Sequence, residues 1–167
     1  MTEPEYVPLA RQRRNRWIRR SGMAAIATVV ALGLLGLLGP RLRTVAATTG
    51  SLRLEVTYAS VTRGGLATPW VVEVRRPGGF DSRISITTTA DYFDGYDFNV
   101  LYPEPLEMST SGDFVVFEFA PPAGDVLRVR LVARATPAWT FWRSAVTTVR
   151  TAGLPEAIVR YRTVFLP

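Results

Sequence analysis

The hydrophobic and polar positions follow one pattern before about residue 50 and a different pattern after it. Residues 22–39 read GMAAIATVVALGLLGLLG, an apolar run without a charge. As a helix this run extends roughly 27 Å, close to the thickness of the hydrocarbon core of a bilayer. From Ser51 onward apolar and polar residues alternate instead, as in half-buried strands. The pattern therefore predicts one transmembrane α-helix at 22–39, followed by an all-β domain.

The alternation also predicts which side chains of the β domain face inward. Glycine- and proline-rich segments separate the runs, and about 7–8 short strands without a helical stretch indicate a two-sheet antiparallel sandwich. The predicted inward faces are Leu52, Leu54, Val56 and Tyr58; Trp70, Val72 and Val74; Ile84, Ile86 and Thr88; and Val159, Tyr161, Thr163 and Phe165.

The segment PPAGD at 121–125 predicts a hairpin between the strands on either side of it. A one-residue slip would bring Arg128 and Arg130 against core phenylalanines, and the cost of desolvating these arginines excludes that register. The other face would hold an opposite-charge cross-strand pair. The predicted pairs are Ala120 with Val126, Phe119 with Leu127, Phe117 with Val129, Val115 with Leu131, and Glu118 with Arg128.

The strand spacing over residues 51–167 resembles that of immunoglobulin-like and fibronectin type III-like modules of bacterial surface proteins. The Cys…Trp…Cys pattern of true immunoglobulin domains is absent. Together with the N-terminal apolar run, the segments PGGFD at 77–81 and PPAGD at 121–125 are similar to small single-pass membrane proteins of actinobacteria. The resemblance implies an immunoglobulin-like extracytoplasmic domain, and such a fold implies no particular activity.

Charge is concentrated around the apolar run and predicts its orientation. Residues 1–43 carry the whole net charge of +6, and the remainder of the chain is neutral. Six arginines precede the run and two follow it, so the positive-inside rule places the N-terminus in the cytoplasm. We expect a basic cytoplasmic tail at 1–21, a linker at 40–50 and an extracytoplasmic domain at 51–167, held at the plasma membrane. A neutral domain does not favour nucleic acid as a partner.

Several residues are candidates for anchoring in the bilayer. Two arginines and a tryptophan precede the run, and tryptophan favours the membrane interface. Three alanines share one helical face, where a second helix can approach closely, although alanine is also common in membrane helices generally. The anchor candidates are Trp17, Arg19, Arg20, Ala24, Ala27 and Ala31.

A cleaved signal peptide is the alternative to a retained anchor. Val45, Ala46 and Ala47 offer small residues at the spacing that signal peptidase requires, so cleavage would follow Ala47. Against cleavage, the apolar run is longer than a usual signal-peptide core, and two arginines lie between the run and this site.

The residue types that are missing exclude most catalytic chemistry. The chain contains no histidine and no cysteine, and all of its basic residues are arginine. Ser-His-Asp and Cys-His catalysis and the usual zinc, haem and iron–sulfur ligation are therefore excluded. No glycine-rich phosphate loop is present. We predict no catalytic residues, no cofactor and no enzymatic activity.

The segment ADYFDGYDFN at 90–99 is the densest acidic and aromatic group of the β domain. Asp91, Asp94 and Asp97 are weak calcium candidates, because their order does not match an EF-hand loop. One alternative is an aromatic connection between the sheets, with its rings partly in the core. Another is a recognition loop in which Tyr92 and Tyr96 contact a partner, since exposed tyrosines are effective contact residues.

A second aromatic cluster, PAWTFWR, occupies residues 137–143. In one interpretation Trp142 belongs to the core and Trp139 caps one end of the domain. In the other, both tryptophans dock on a partner or on the bilayer surface, where tryptophan is favoured.

These observations together predict the class of function. We expect a membrane-anchored, non-enzymatic accessory or scaffolding subunit, whose partners are the lipid bilayer and another integral membrane or envelope protein. The alternative is an extracytoplasmic ligand-binding or sensory module for calcium, glycan or peptidoglycan.

Overall fold

The computed structural model describes residues 9–34, 39–136 and 141–166, with the side chains of residues 9–16, 32, 34, 98 and 99 excepted. The chain divides into two compact units, Met1–Gly39 and Pro40–Pro167. The described part of the first unit contains one helix, α1, and the described part of the second contains the strands and a short helix, α2.

Helix α1 runs from Leu9 to Leu34 and so begins well before the apolar run. It includes much of the segment predicted as a tail, because arginine, leucine and alanine favour helix and no proline interrupts the chain between Pro8 and Pro40. None of the helical residues that the structure describes forms a stretch with the length and apolar content of a membrane crossing. Residues 35–38 of the predicted span lie outside the described residues.

The second unit is built almost entirely from strands. Residues 40–50, predicted as a linker, contain a strand that pairs with one neighbour and is mostly exposed, so it lacks the buried alternation of the long core strands. In chain order the elements are β1 Arg41–Thr49, β2 Leu52–Arg63, β3 Ala67–Arg75, β4 Ile84–Thr89, α2 Ala90–Phe93, β5 Tyr96–Tyr102, β6 Glu107–Ser111, β7 Phe114–Phe119, β8 Val126–Ala135, β9 Trp142–Thr151 and β10 Ala157–Leu166.

Hydrogen bonds join these strands into one mixed sheet, in the order β5-β8-β3-β2-β10-β9-β4-β7-β6, with β1 paired to β2. The prediction of two separate antiparallel sheets is therefore wrong in its connectivity. Strand β2 is long enough to pair with two strands of the sheet order in turn. Its residues 53–57 pair with β3, and its residues 61–63 pair in parallel with β10. A strand that changes neighbours in this way joins two layers at a corner.

The sheet curls around its core, so that distant strands face each other. The ring of Phe93 makes edge contacts with Trp70 on β3, at 5.4 Å between centroids, and with Phe117 on β7, at 6.4 Å. Strands β3 and β7 are far apart in the sheet order. The inward faces predicted for β2, β3, β4 and β10 are buried, which confirms that part of the sequence analysis.

The predicted hairpin across residues 121–125 is wrong in its pairing. Strand β7 pairs with β4 and β6, whereas β8 pairs with β3 and β5. Glu118 lies 3.5 Å from Arg83, and Arg128 instead bonds Glu73. The predicted faces are nevertheless right, since Phe117, Phe119, Leu127, Val129 and Leu131 are buried. A connection that crosses from one part of the sheet to another keeps the apolar side of each strand inward, as a hairpin does. Alternation of apolar and polar residues therefore does not distinguish a crossing connection from a hairpin.

A chain of buried hydrogen bonds crosses the core. The indole Nε1 of Trp70 donates to the hydroxyl of Tyr161 at 2.7 Å, and this hydroxyl lies 3.0 Å from the hydroxyl of Thr147. Thr147 in turn bonds Thr88 at 3.0 Å. Because these residues lie on β3, β10, β9 and β4, this series of hydrogen bonds connects four strands of the curled sheet at one point in the core.

Candidate functional site: an aromatic cleft at a sheet edge

A cleft of about 430 Å³ opens between two parts of the β domain. Helix α2 and the start of β5 form one side, and β6 and β7 form the other. A cleft of this volume falls in the range of pockets that bind ligands or peptide side chains. Its lining residues are Ala90, Phe93, Asp94, Tyr96, Met108, Thr110, Val115 and Phe117.

The floor of the cleft is aromatic and firmly held. Phe93, Tyr96 and Phe117 are all buried, and Phe93 packs edge-on against Phe117. The Tyr96 hydroxyl donates to the Tyr92 hydroxyl at 3.5 Å, and the latter lies 2.9 Å from Thr163. Burial raises the pKa of both tyrosines above the usual value of 10, so their hydroxyls stay protonated. The floor therefore offers a large apolar surface with fixed ring positions.

One wall of the cleft is a sheet edge. Strand β6 is exposed along its whole length and is the last strand in the sheet order, with β7 as its neighbour. Met108 and Thr110, two positions apart on β6, both line the cleft, and the Met108 side chain is 62 % exposed. The backbone of such an edge has N–H and C=O groups available to another strand.

The other wall is held in place by Arg143 from β9. Its Nη1 donates to the carbonyl oxygen of Asp91 in α2 and lies 3.9 Å from Oδ2 of Asp94. The next residue, Gly95, leaves room for this approach, because a Cβ there would lie 3.1 Å from Nε of Arg143 and 3.2 Å from Cζ of Phe165. The guanidinium of Arg143 therefore lies next to Asp91 and Asp94, where the sequence suggested a calcium ion.

The three aspartates of this region do not form a ligand set. Within the described ranges no group of three or more histidine, cysteine, aspartate or glutamate side chains could hold a metal ion. Asp91 and Asp94 lie at the two ends of α2, whereas Asp97 lies on β5 opposite Arg134. Because the chain changes from helix to strand between Asp94 and Asp97, their carboxylates are not directed at one point.

The aromatic candidates also differ from their predicted places. Tyr92 is 2 % exposed and Tyr96 is 7 % exposed, so neither is an exposed contact residue. Of the alternative, an aromatic connection between two sheets, the burial of the rings holds, whereas the strands form a single sheet. Tyr96 reaches a ligand only as part of the cleft floor. Trp142 is 60 % exposed, so its interpretation as a core residue is wrong. Trp139 lies outside the described residues.

The anchor candidates all lie on α1. Their side chains are exposed, and the hydroxyl of Thr28, on the same helix, donates to the carbonyl oxygen of Ala24 at 2.9 Å. The candidates placed there are Trp17, Arg19, Arg20, Ala24, Ala27 and Ala31.

Sequence reasoning missed the second wall of the cleft. Phe117 was placed in the core, which is right, but nothing in the sequence shows that its ring also faces a cleft. Met108 was the available signal, because it is the single large apolar residue in the polar segment EMSTS of β6. Single exposed apolar residues are common on protein surfaces, however, so Met108 by itself does not predict a cleft.

Comparison with known proteins gives a distant resemblance to bacterial surface domains. No protein-family model and no curated sequence matches the chain. The N-terminal domain of the Streptococcus gordonii adhesin Sgo0707 matches with a TM-score of 0.46 and 12 % identity, over 77 % of this chain and 33 % of that one. The chain thus spans about a third of the length of that adhesin structure.

Two further structures are similar over most of their own length. The cohesin module of a Clostridium perfringens family 33 glycoside hydrolase has a TM-score of 0.44 and 7 % identity, over 71 % of this chain and 97 % of the module. The bacterial hydrophobin BslA has a TM-score of 0.42 and 12 % identity, over 77 % of this chain and 100 % of BslA. The chain is therefore distantly similar, in its β-rich architecture, to an adhesin, a cohesin and a hydrophobin of bacteria.

Proposed function

We propose that this chain is a non-enzymatic, membrane-anchored accessory subunit of the bacterial cell envelope, which holds an extended segment of a partner protein in the aromatic cleft. The observation that carries the proposal is a cleft of about 430 Å³ with a buried aromatic floor, bordered by a strand edge that has no neighbour in the described sheet.

An extended peptide fits both features of the cleft at once. A peptide strand beside β6 pairs its backbone with the free edge, which supplies hydrogen bonds independent of sequence. Its alternate side chains then point into the cleft, as Met108 and Thr110 of β6 already do. The floor formed by Phe93, Tyr96 and Phe117 favours apolar or aromatic side chains at those alternate positions.

The anchoring part of the proposal rests on the sequence. Residues 22–39 form an uncharged run bordered by six arginines on one side and two on the other. By the positive-inside rule, this asymmetry supports a cytoplasmic N-terminus and a β domain on the other side of the membrane. The non-enzymatic part rests on the absence of histidine and cysteine from the chain and on a cleft floor of two phenylalanines and one tyrosine, whose hydroxyl is bonded to that of Tyr92.

The test is a charge placed at the rim of the cleft. Met108→Glu puts a carboxylate over the aromatic floor at an exposed position, which the fold tolerates. An apolar side chain of the partner would bury this charge on entering the cleft, so binding of the partner should be lost. Leu106→Glu is the matched control, because Leu106 is 58 % exposed, precedes β6 and does not line the cleft. Each full-length variant is purified from membranes in mild detergent, and its co-purifying proteins are quantified against the wild type.

The proposal expects M108E to lose the partner while L106E keeps it. A photo-crosslinking amino acid at Met108 should then join the chain to one defined peptide of that partner. Equal recovery of all partners with both variants would contradict the proposal. Loss of binding to purified peptidoglycan in M108E, with protein partners unchanged, would instead favour the ligand-binding alternative.

A further inference from the structure

Four strands of the β domain bring one row of residues together on the outer face of the sheet. Arg41 of β1 lies opposite Val61 of β2, Val61 lies opposite Val164 of β10, and Val164 lies opposite Trp142 of β9. Residues directly opposite each other on paired strands point to the same face. The pattern of burial along β10 identifies this face as the outer one, because Val164 is exposed and its neighbours along the strand are buried.

The row and Leu166, two positions after Val164 on β10, carry an exposed apolar patch, which we call the β9–β10 patch and define as Trp142, Val164 and Leu166. Trp142 is 60 % exposed, and Val164 and Leu166 are 37 % and 41 % exposed. The carbonyl oxygen of Phe141 accepts a hydrogen bond from the backbone of Phe165 at 2.9 Å, which continues the pairing of β9 and β10 at this end of the two strands.

Covalent geometry limits how far the patch can lie from the end of the proposed anchor. Arg41 follows the last residue of the run, Gly39, by two positions, and two residues span at most about 7 Å. Neighbouring strands are about 4.8 Å apart, so Trp142 lies roughly 14 Å from Arg41 along the row. A bilayer that contains the run at 22–39 therefore has its outer surface within reach of the patch.

The chemistry of the patch and its border matches a lipid surface. Tryptophan is enriched where the hydrocarbon meets the headgroups, since its ring is apolar and its N–H is polar. Arg41 borders the patch on β1, and Arg63 lies opposite Leu166 on β2. Neither arginine forms an ion pair with another described residue. Both guanidinium groups are thus available to lipid phosphates.

We propose that the β9–β10 patch lies on the outer surface of the lipid bilayer, with Trp142 at the level of the headgroups and Arg41 and Arg63 against the phosphates. This inference rests on the anchoring part of the proposed function. It sets the orientation of the β domain, because the end that carries Trp142 then lies on the membrane and the far end of β10 points away from it.

The experiment uses spin labels in the full-length chain, which contains no native cysteine. Single-cysteine variants V164C and I158C are labelled and reconstituted into vesicles of phosphatidylcholine and phosphatidylglycerol in equal parts. Ile158 is the matched control, because it is 44 % exposed, shares the outer face of β10 with Val164 and lies roughly 20 Å farther along the strand. A third variant, I26C, reports on the anchor.

Collision with oxygen, which concentrates in lipid, is compared with collision with a water-soluble nickel complex. We expect the ratio of oxygen to nickel collision to be highest at I26C, severalfold higher at V164C than at I158C, and reduced at V164C when Trp142 is replaced by serine. Equal ratios at V164C and I158C, with a lipid-like ratio at I26C, would overturn the inference and leave the anchor intact.

Two other results are distinguishable from these. Protection of V164C from both oxygen and nickel would mean that protein covers the patch, a second copy of the chain in these vesicles, and would overturn the inference. A water-like ratio at I26C would remove the anchor and with it the inference. The partner-binding part of the proposed function would stay open to the separate test at Met108.

Discussion

Replacing Tyr161 with phenylalanine removes a single oxygen atom from the middle of the core, where it joins two halves of the curled sheet. The Tyr161 hydroxyl accepts from Nε1 of Trp70 at 2.7 Å and bonds the Thr147 hydroxyl at 3.0 Å. Two lost hydrogen bonds cost about 0.5–1.5 kcal/mol each in net stability. The indole N–H of Trp70, on a side chain that is 3 % exposed, is left without its partner at a cost of about 1–3 kcal/mol. Because these terms overlap, we expect Y161F to lower the free energy of unfolding by about 2–4 kcal/mol.

Tyr58 provides a matched control within the same aromatic cluster. Its ring lies 4.6 Å from that of Tyr161 and is also buried, but its hydroxyl makes no hydrogen bond to any described residue. Tyr58→Phe removes the same atom without breaking a bond, so it should change stability by less than about 0.5 kcal/mol. The assay is guanidinium and thermal unfolding of a fragment that begins at Pro40, since every residue of the hydrophobic core lies within it. In thermal unfolding, Y161F should lower Tm by roughly 6–16 °C.

Equal destabilisation of the domain by Y161F and Y58F would contradict the assigned role of the Tyr161 hydroxyl. A second check is a double-mutant cycle with Thr147→Val, which removes the other hydroxyl of the pair. A coupling energy of about 0.5–1.5 kcal/mol is expected, whereas strict additivity would show that the two hydroxyls do not interact in the folded domain.

Three further predictions follow from the strand pairing, the charges and the anchor. A double-mutant cycle should give a coupling energy of about 0.5–1 kcal/mol between Arg128 and Glu73, and none between Arg128 and Glu118; coupling to Glu118 would restore the hairpin. Hydrogen bonds from Arg128 and then Arg75 hold the pKa of Glu73 below its ordinary value of 4.5. This stabilisation is present above pH 4.5 and is lost as the pH falls through the lowered pKa, so acid unfolding of Glu73→Gln should lack this component. A reporter that is active only outside the cytoplasm should be active when fused after Pro167, and activity of a cytoplasmic reporter at that position would reverse the proposed orientation.

The sequence alone was enough to predict which side of each strand faces the core. Side chains on a strand alternate between two faces by backbone geometry, so Leu52, Leu54 and Val56, or Val159 and Tyr161, are placed inward by their spacing. The structure confirms these faces. The orientation of the apolar run at 22–39 stays a prediction from charge, because it depends on arginines and a bilayer rather than on the fold.

Neighbour relations between strands depended on the tertiary structure. Strands β7 and β8 bury the predicted faces yet never pair, and β2 serves both β3 and β10. Alternation has the same period whichever strand lies alongside, so the pattern within a strand carries no information on its neighbour. Arg128 shows the consequence, because its outward direction was predictable while its partner, Glu73 instead of Glu118, was not.

The cleft was the least predictable feature for the same reason. Its floor combines Phe93 from α2, Tyr96 from β5 and Phe117 from β7, which meet only because the sheet curls until its two ends approach each other. Tyrosines and aspartates clustered in the sequence at 90–99 suggested a site there, but helix α2 buries Tyr92 and separates the carboxylates. Local sequence determined the chemical character of this segment. Long-range closure of the sheet decided which of its side chains meet in the cleft, because that closure depends on contacts between residues far apart in the chain.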